Sequence, residues 1–397
     1  MPRPQSIVNV SFQSNNLTGR HGALLALLMV CGLTVVGQLY LTIPLVAAIG
    51  AQFGVEPGEA ALSGTAFGIA YAAGFLIFGG LSDRFGRKRV IVLGLAATAL
   101  ATLLVGLMPS FGWLLAARAL QGLCASIFPP AALSLVTEEL PPPHRPLGVS
   151  LMSFAFLVAA PAAQLLAASS GLSLAALMLA LAPGYLLGAL GLWFAAAAPG
   201  PTNHPGAAPA AAPATSLLRD GGIIAAWAAA LTVLFGFVCF FSGVQATAPQ
   251  LGVDPQAVRL FGLPALAFAF AAAPLARSYG PAITASFGLV VAALALGLAA
   301  LALPTLLLVA SALLSAGVAL AVPGLIATVA NRASACNRAR ALAIYTFALF
   351  LGASLAPPMA QWLATLAAAA LWLVPAVLLL VAALGLIVAT RRTAQPS

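Results

Sequence analysis

Arg118 and Gln121 stand three residues apart in the apolar run "LLAARALQGLCA", so a helix sets both on one face. Arginine stays protonated in proteins, and a charge at mid-bilayer costs about 2.5–3.5 kcal/mol. A guanidinium kept there can meet an anion, bias a neighbour's ionisation, or bond helix ends and carbonyls. No Asp, Glu or His stands within an apolar run, and His21, His144 and His204 all lie outside them. A cationic compound would find no carboxylate in such a membrane, so an anionic or neutral one fits better. Other polar candidates recur at helical spacing. Thr34, Gln38 and Thr42 follow at i, i+4 and i+8; Ser242 precedes Gln245 by three; Tyr345 and Thr346 stand together. Such groups could line a path, and they equally well bond neighbouring helices.

The elements that must hold these residues follow from composition. Of 397 residues, 62% are hydrophobic and only 6% charged, against about 25% charged in a soluble domain. Apolar runs long enough to cross a bilayer core of about 30 Å recur along the chain. Without period-two alternation they predict helices rather than a barrel. The reading is an all-α integral membrane protein of twelve spans: 22–50, 60–81, 89–108, 113–138, 147–168, 172–197, 221–249, 257–276, 282–302, 304–330, 341–364 and 367–390.

Two six-helix bundles, 22–197 and 221–390, are expected, with tails at 1–21 and 391–397. They are joined by a Pro/Ala/Gly-rich linker over 198–220. With the N-terminus inside, fourteen of the sixteen Lys and Arg residues fall on the cytoplasmic side. That puts both termini in the cytoplasm and the chain in the inner membrane. Arg259 falls at an outer helix end, where it can snorkel or pair with Asp254. The halves also echo each other. "GGLSDRFG" aligns with "APLARSYG", setting Gly86 opposite Gly280 and Asp83 opposite Arg277, and Pro129 and Pro323 share the 194-residue offset. The net charge of +9 sits in short loops between spans and reads as topology, not as a nucleic-acid face. Cys31, Cys124, Cys239 and Cys336 show no metal or redox spacing.

Against this frame, "GGLSDRFGRKRV" (79–90) packs five of the 23 charged side chains into one loop. It resembles the signature loop of the major facilitator superfamily, G-x-L-A-D-R-x-G-R-K, through Gly79, Leu81, Asp83, Arg84, Gly86, Arg87 and Lys88, with Ser82 for Ala. "LAARALQG" (115–122) resembles the same family's fourth-helix pattern L-x-x-R-x-x-Q-G. "FLVAAPAAQ" keeps Ala160-Pro161 of the fifth-helix antiporter pattern, while Phe156 and Gln164 stand where that pattern has Gly.

The resemblance implies two pseudo-symmetric bundles and a secondary active transporter, resembling the twelve-span drug/metabolite:proton antiporters. It implies a gate of Asp83, Arg84, Arg87, Gly79, Gly86, Glu138 and Arg340 that links the bundles at the cytoplasmic side. The competing reading of the loop is a solvated basic run that only anchors topology. Substrate and coupling residues would be Arg118, Gln121, Gln38, Thr34, Gln245 and Tyr345.

The expected function is proton-coupled efflux of a small organic compound, such as a drug or siderophore. Proton-coupled uptake of a small organic anion is the alternative. Proton carriers would be Asp83, Glu138, Glu139 or the substrate itself. A functional monomer in the lipid bilayer is expected, with no cofactor, metal or nucleic acid. Nothing clusters as an enzyme's nucleophile and base would, and no phosphate-binding loop suggests ATP drive.

Overall fold

The computed structural model describes residues 18–79, 81, 85–196, 214–334 and 337–392. Twelve helices there are long and apolar enough to cross a membrane. They are α1 (Gly19–Gly37), α2 (Pro57–Phe78), α3 (Arg87–Gly106), α4 (Phe111–Glu139), α5 (Pro142–Ser169) and α6 (Leu174–Ala195), followed by α7 (Gly221–Leu251), α8 (Pro255–Tyr279), α9 (Pro281–Ala299), α10 (Pro304–Arg332), α11 (Arg338–Leu366) and α12 (Ala370–Arg391). No strand occurs among the described residues. Lipid offers backbone amides no partner, so each span closes its hydrogen bonds within itself.

The spans agree with the sequence reading to within a few residues, except the first. There α1 stops at Gly37, a turn covers 38–42, and Ile43–Phe53 forms a separate short helix. Pro44 supplies no amide to the Tyr40 carbonyl four residues back, which takes the Ile43 amide in a tighter turn instead. Thr42 therefore leaves the helical register it would have shared with Thr34 and Gln38.

Each half repeats one packing plan. In the first, α1 lies on α5, α2 on α4, and α3 on both α4 and α6; in the second, α7 lies on α11, α8 on α10, and α9 on both α10 and α12. Glycine permits the close approaches. A Cβ on Gly122 of α4 would collide with the Phe67 carbonyl of α2, and one on Gly317 of α10 would come within 2.6 Å of the Gly288 carbonyl of α9. The repeat extends to loop geometry: Gly86 (φ 86°) opens α3 and Gly280 (φ 90°) opens α9. Both backbones lie in the region that favours glycine.

One end of the molecule gathers the basic groups. There Arg20 at the start of α1 pairs with Glu139 at the end of α4 (3.4 Å) and donates to the Ala195 carbonyl at the end of α6 (2.9 Å). Lys88 donates to the Ala196 carbonyl (2.8 Å), and Arg332 bonds Asp220 ahead of α7 (2.8 Å). This is called the basic end below, and its opposite the far end. Most of the expected linker falls outside the described residues; of it, Ala214–Arg219 forms a 3-10 turn.

Contact between the halves runs mainly through α2 against α11 and α5 against α8, the two pairings the repeat makes equivalent.

Candidate functional site

Arg118 sits at the centre of the first half, with no exposure to solvent. Its Nε donates to the Ser63 carbonyl of α2 (3.1 Å), and Nη2 to the Gln38 carbonyl (2.8 Å). Nη1 donates to Oε1 of Gln121 (2.6 Å) and, more distantly, to Oε1 of Gln38 (3.4 Å). The Gln38 carbonyl is available because α1 has just ended, so the break and the arginine explain each other. The guanidinium carbon also lies 4.6 Å from the centroid of the Phe67 ring, a cation–π contact strengthened by desolvation.

The amides carry the network outward. Gln121 donates to the Thr102 hydroxyl of α3 (2.8 Å), and Gln38 to the Tyr185 hydroxyl of α6 (2.8 Å). Tyr185 in turn donates to the Thr34 carbonyl (3.0 Å). Five helices thus meet at one cation, and all three of its nitrogens are bonded. Thr102, Tyr185, Ser63 and Phe67 were not among the residues singled out from the sequence. Only the i, i+4 spacing of Thr98 and Thr102 within α3 could have hinted at one of them.

The other predicted residues separate into groups. The Thr34 hydroxyl bonds back to Val30 and Cys31 carbonyls, and Thr34 lines a small apolar cavity of ≈ 40 Å³ with Leu33, Gly37 and Ala163 inside the first half. Tyr345 is buried within the second half and donates to the Val322 carbonyl (3.2 Å). Gln245 belongs to a separate cluster. Arg259, buried to 1% exposure, donates from Nη2 to Gln245 Oε1 (2.6 Å) and from Nε across the halves to Gln164 Oε1 (3.0 Å).

Arg259 therefore neither snorkels nor pairs with Asp254, whose carboxylate caps α8 through the Gln256 amide (2.9 Å). The two departures in the fifth-helix pattern also find their purpose. Gln164 reaches Arg259, and Phe156 fills the space over Gly32 of α1, where a Cβ would lie 2.7 Å from its ring.

Of the expected gate, Asp83 and Arg84 lie outside the described residues. Arg87 pairs with Glu138, tying α3 to α4 within the first half. Gly79 follows α2 and is exposed. Arg340 is exposed at the start of α11 and makes no ion pair with the first half among the described residues.

The halves meet unevenly. Towards the far end, Thr65 donates to the Ser354 carbonyl (2.7 Å), and the Gln164–Arg259 bond joins α5 to α8. At mid-depth the Tyr71 and Phe75 rings pack on Phe350, with centroids 4.9 and 5.5 Å away, and Phe154 packs on Phe270 at 5.3 Å. Nearer the basic end the described helices are more exposed. No residue of α8 from Ala273 to Tyr279 is buried. Gly22, Ala26 and Val30 form an exposed stripe on α1, and Ile224, Ala228 and Leu231 form one on α7. The end of α1 with the turn after it, from Val35 to Ile43, and the far-end part of α7 from Gly236 to Val244 are buried throughout.

The family model for the Major Facilitator Superfamily matches residues 28–259 and 250–397. The chain belongs to the major facilitator superfamily. Twelve apolar helices among the described residues and membership of this superfamily together make the protein a multi-pass membrane protein.

Among curated proteins, it is 43% identical over 72 residues to the puromycin resistance protein pur8 of Streptomyces alboniger, 18% of this chain and 14% of that one. It is 33% identical over 111 residues to the inner membrane transport protein YnfM of Escherichia coli, 28% of this chain and 27% of that one. It is 42% identical over 73 residues to the niacin transporter NiaP of Acinetobacter baylyi, 18% of this chain and 17% of that one. The chain thus spans only between 14% and 27% of the length of these relatives.

Proposed function

We propose that the protein exports a small organic compound in exchange for protons, its two halves rocking to expose a central site to one face at a time. The observation that carries this reading is one-sided: the hydrogen bonds between the halves lie toward the far end, while the described helices grow more exposed toward the basic end. Alternating access requires two such states of opposite sense. The positive-inside rule assigns the basic end, with both termini, to the cytoplasm of the inner membrane. On that assignment the structure is the state open to the cytoplasm, in which the chain, working as a monomer, would load cargo for export.

The gate fits the same state. Arg87–Glu138 holds its half together while Arg340 stays apart, so closing the basic end would bring Arg340 toward the 79–90 loop and its Asp83. Export is supported by the resistance proteins among the relatives, pur8 and the methylenomycin A resistance protein of Streptomyces coelicolor. A second reading is proton-coupled uptake of an organic anion. It is favoured by two buried arginines in helices whose acidic residues stay within a terminal turn, and by the niacin transporter. Glu138, Glu139 and Asp83, or the cargo itself, are the groups that would carry the proton.

The test uses everted membrane vesicles energised to an acid lumen, with puromycin and nicotinate as probes. Export predicts accumulation in the lumen that a protonophore abolishes. Accumulation only in right-side-out vesicles, driven by inward proton flow, would replace export by uptake.

A further inference from the structure

Arg259 differs from Arg118 in one respect that bears on ligand binding. Every nitrogen of Arg118 has a partner, whereas Nη1 of Arg259 has none among the described residues, although the side chain is fully buried. The hydroxyl of Ser242, one helical turn before Gln245 on α7, is likewise buried without a partner. Native interiors rarely leave such donors unpaired. The partners Arg259 does have are neutral amides, Gln164 and Gln245. They satisfy hydrogen bonds without compensating the charge, and the nearby Asp254 carboxylate acts on it only from its place as the cap of α8. A carboxylate at position 164 would have made a strong lock between the halves; the amide makes a weak one and leaves the cation available.

We propose that Arg259 and Ser242 form a binding site for the carboxylate of a small organic acid, occupied when the far end opens. Gln164 belongs to the other half and departs with it on opening. That frees Nε in addition to Nη1, so the uncompensated cation has two open donors, and a carboxylate accepts a charge-assisted hydrogen bond from Nη1. The Ser242 hydroxyl donates to the same group from α7. Gln164 and the ligand then compete for one cation, so the ligand stabilises the far-end-open state and the amide stabilises the closed one. The site rests on the alternating-access reading and names the charge class of the compound that the site would recognise.

The experiment is calorimetric titration of the purified full chain with benzoate, and with benzamide as its neutral analogue. Wild type binds benzoate and not benzamide. Arg259→Gln weakens benzoate by about tenfold or more, the loss expected for a charge-assisted pair, and Arg259→Lys weakens it less. Gln164→Ala removes the competitor and tightens benzoate binding, a gain that a damaged fold would not produce. Equal benzoate affinity in wild type and Arg259→Gln overturns the proposal, as does absence of benzoate binding in both wild type and Gln164→Ala. Binding needs no gradient and no flux, so its failure leaves the export reading standing, and failed export leaves the site standing.

Discussion

At the scale of single residues, two arginines carry the account and were unequally legible. Arg118 stood out in the sequence because nothing ionisable shares its run, and Gln121 three residues on marked the face it uses. Its partners did not stand out, because three of the oxygens it bonds belong to Ser63 and Gln38 carbonyls and a Gln side chain brought together only by folding. Arg259 read as a surface residue, since it lies one turn inside α8 beside Asp254. Its burial depends on Gln164, which is 95 residues away in the chain and looked only like a departure from a pattern. Replacing Arg118 by Ala would strand the Ser63 and Gln38 carbonyls without donors, at about 1–3 kcal/mol for each buried group. The expected outcome is lost transport together with a clearly lower unfolding temperature in detergent. An unchanged unfolding temperature with lost transport would make Arg118 a ligand contact instead of the keystone of the first half.

At the scale of elements, apolar length places eleven of the twelve spans correctly, because lipid leaves the backbone no alternative to helix. The first span is the exception, because hydropathy continues straight through the turn at 38–42. Pro44 was the available signal, and the physical reason for the break is the demand of Arg118 for the Gln38 carbonyl. Helix–helix distance was less legible, since small residues recur everywhere in this chain. The structure singles out Gly122, where a methyl would strike the Phe67 carbonyl. Gly122→Ala should cost about 1–3 kcal/mol as overpacking, read as a drop in thermal stability, whereas Gly184→Ala, open to space, should cost little. Gly86→Ala should destabilise through its positive φ, at about 1–2 kcal/mol. Gly280→Ala should do the same if the repeat is as close as the backbone indicates.

The junction of α7 and α10 adds a pH dependence. Partial burial pushes the Asp220 carboxyl up, but hydrogen bonds from Arg332 and the Ile223 and Gly222 amides, with the Arg332 charge, outweigh it and hold it below the usual carboxylate range. A depressed carboxyl stabilises the fold above its unfolded value, and that stability is lost as pH falls through the folded value. Thermal stability should therefore fall on acidification below the ordinary carboxylate range, and Asp220→Asn should flatten that part of the profile. An Asn variant with the wild-type acid limb would remove Asp220 from the explanation.

At the scale of the whole molecule, the twofold plan was legible from Gly86 and Gly280, Pro129 and Pro323. The asymmetry between the ends was not, because sequence records which helices can meet and not how far along they do. Closure comes from residues far apart in the chain, such as Thr65 with Ser354 and Gln164 with Arg259. Their bonds hold the far end, so opening that end exchanges two hydrogen bonds for contacts made elsewhere. Those elsewhere contacts are expected at the basic end, where the exposed stripes of α1 and α7 await burial.

The most direct measurement follows from this exchange. Spin-label pairs on the exposed positions Leu147 and Tyr279 at the basic end, and on Ser169 and Ala257 at the far end, would be compared in a lipid-reconstituted background lacking native cysteines. The account predicts a dominant population with a short far-end and a long basic-end distance. It also predicts a second population with both reversed, which gains weight when Gln164→Ala releases the clasp. A single population at both ends, or distances at the two ends that lengthen and shorten together, would contradict it.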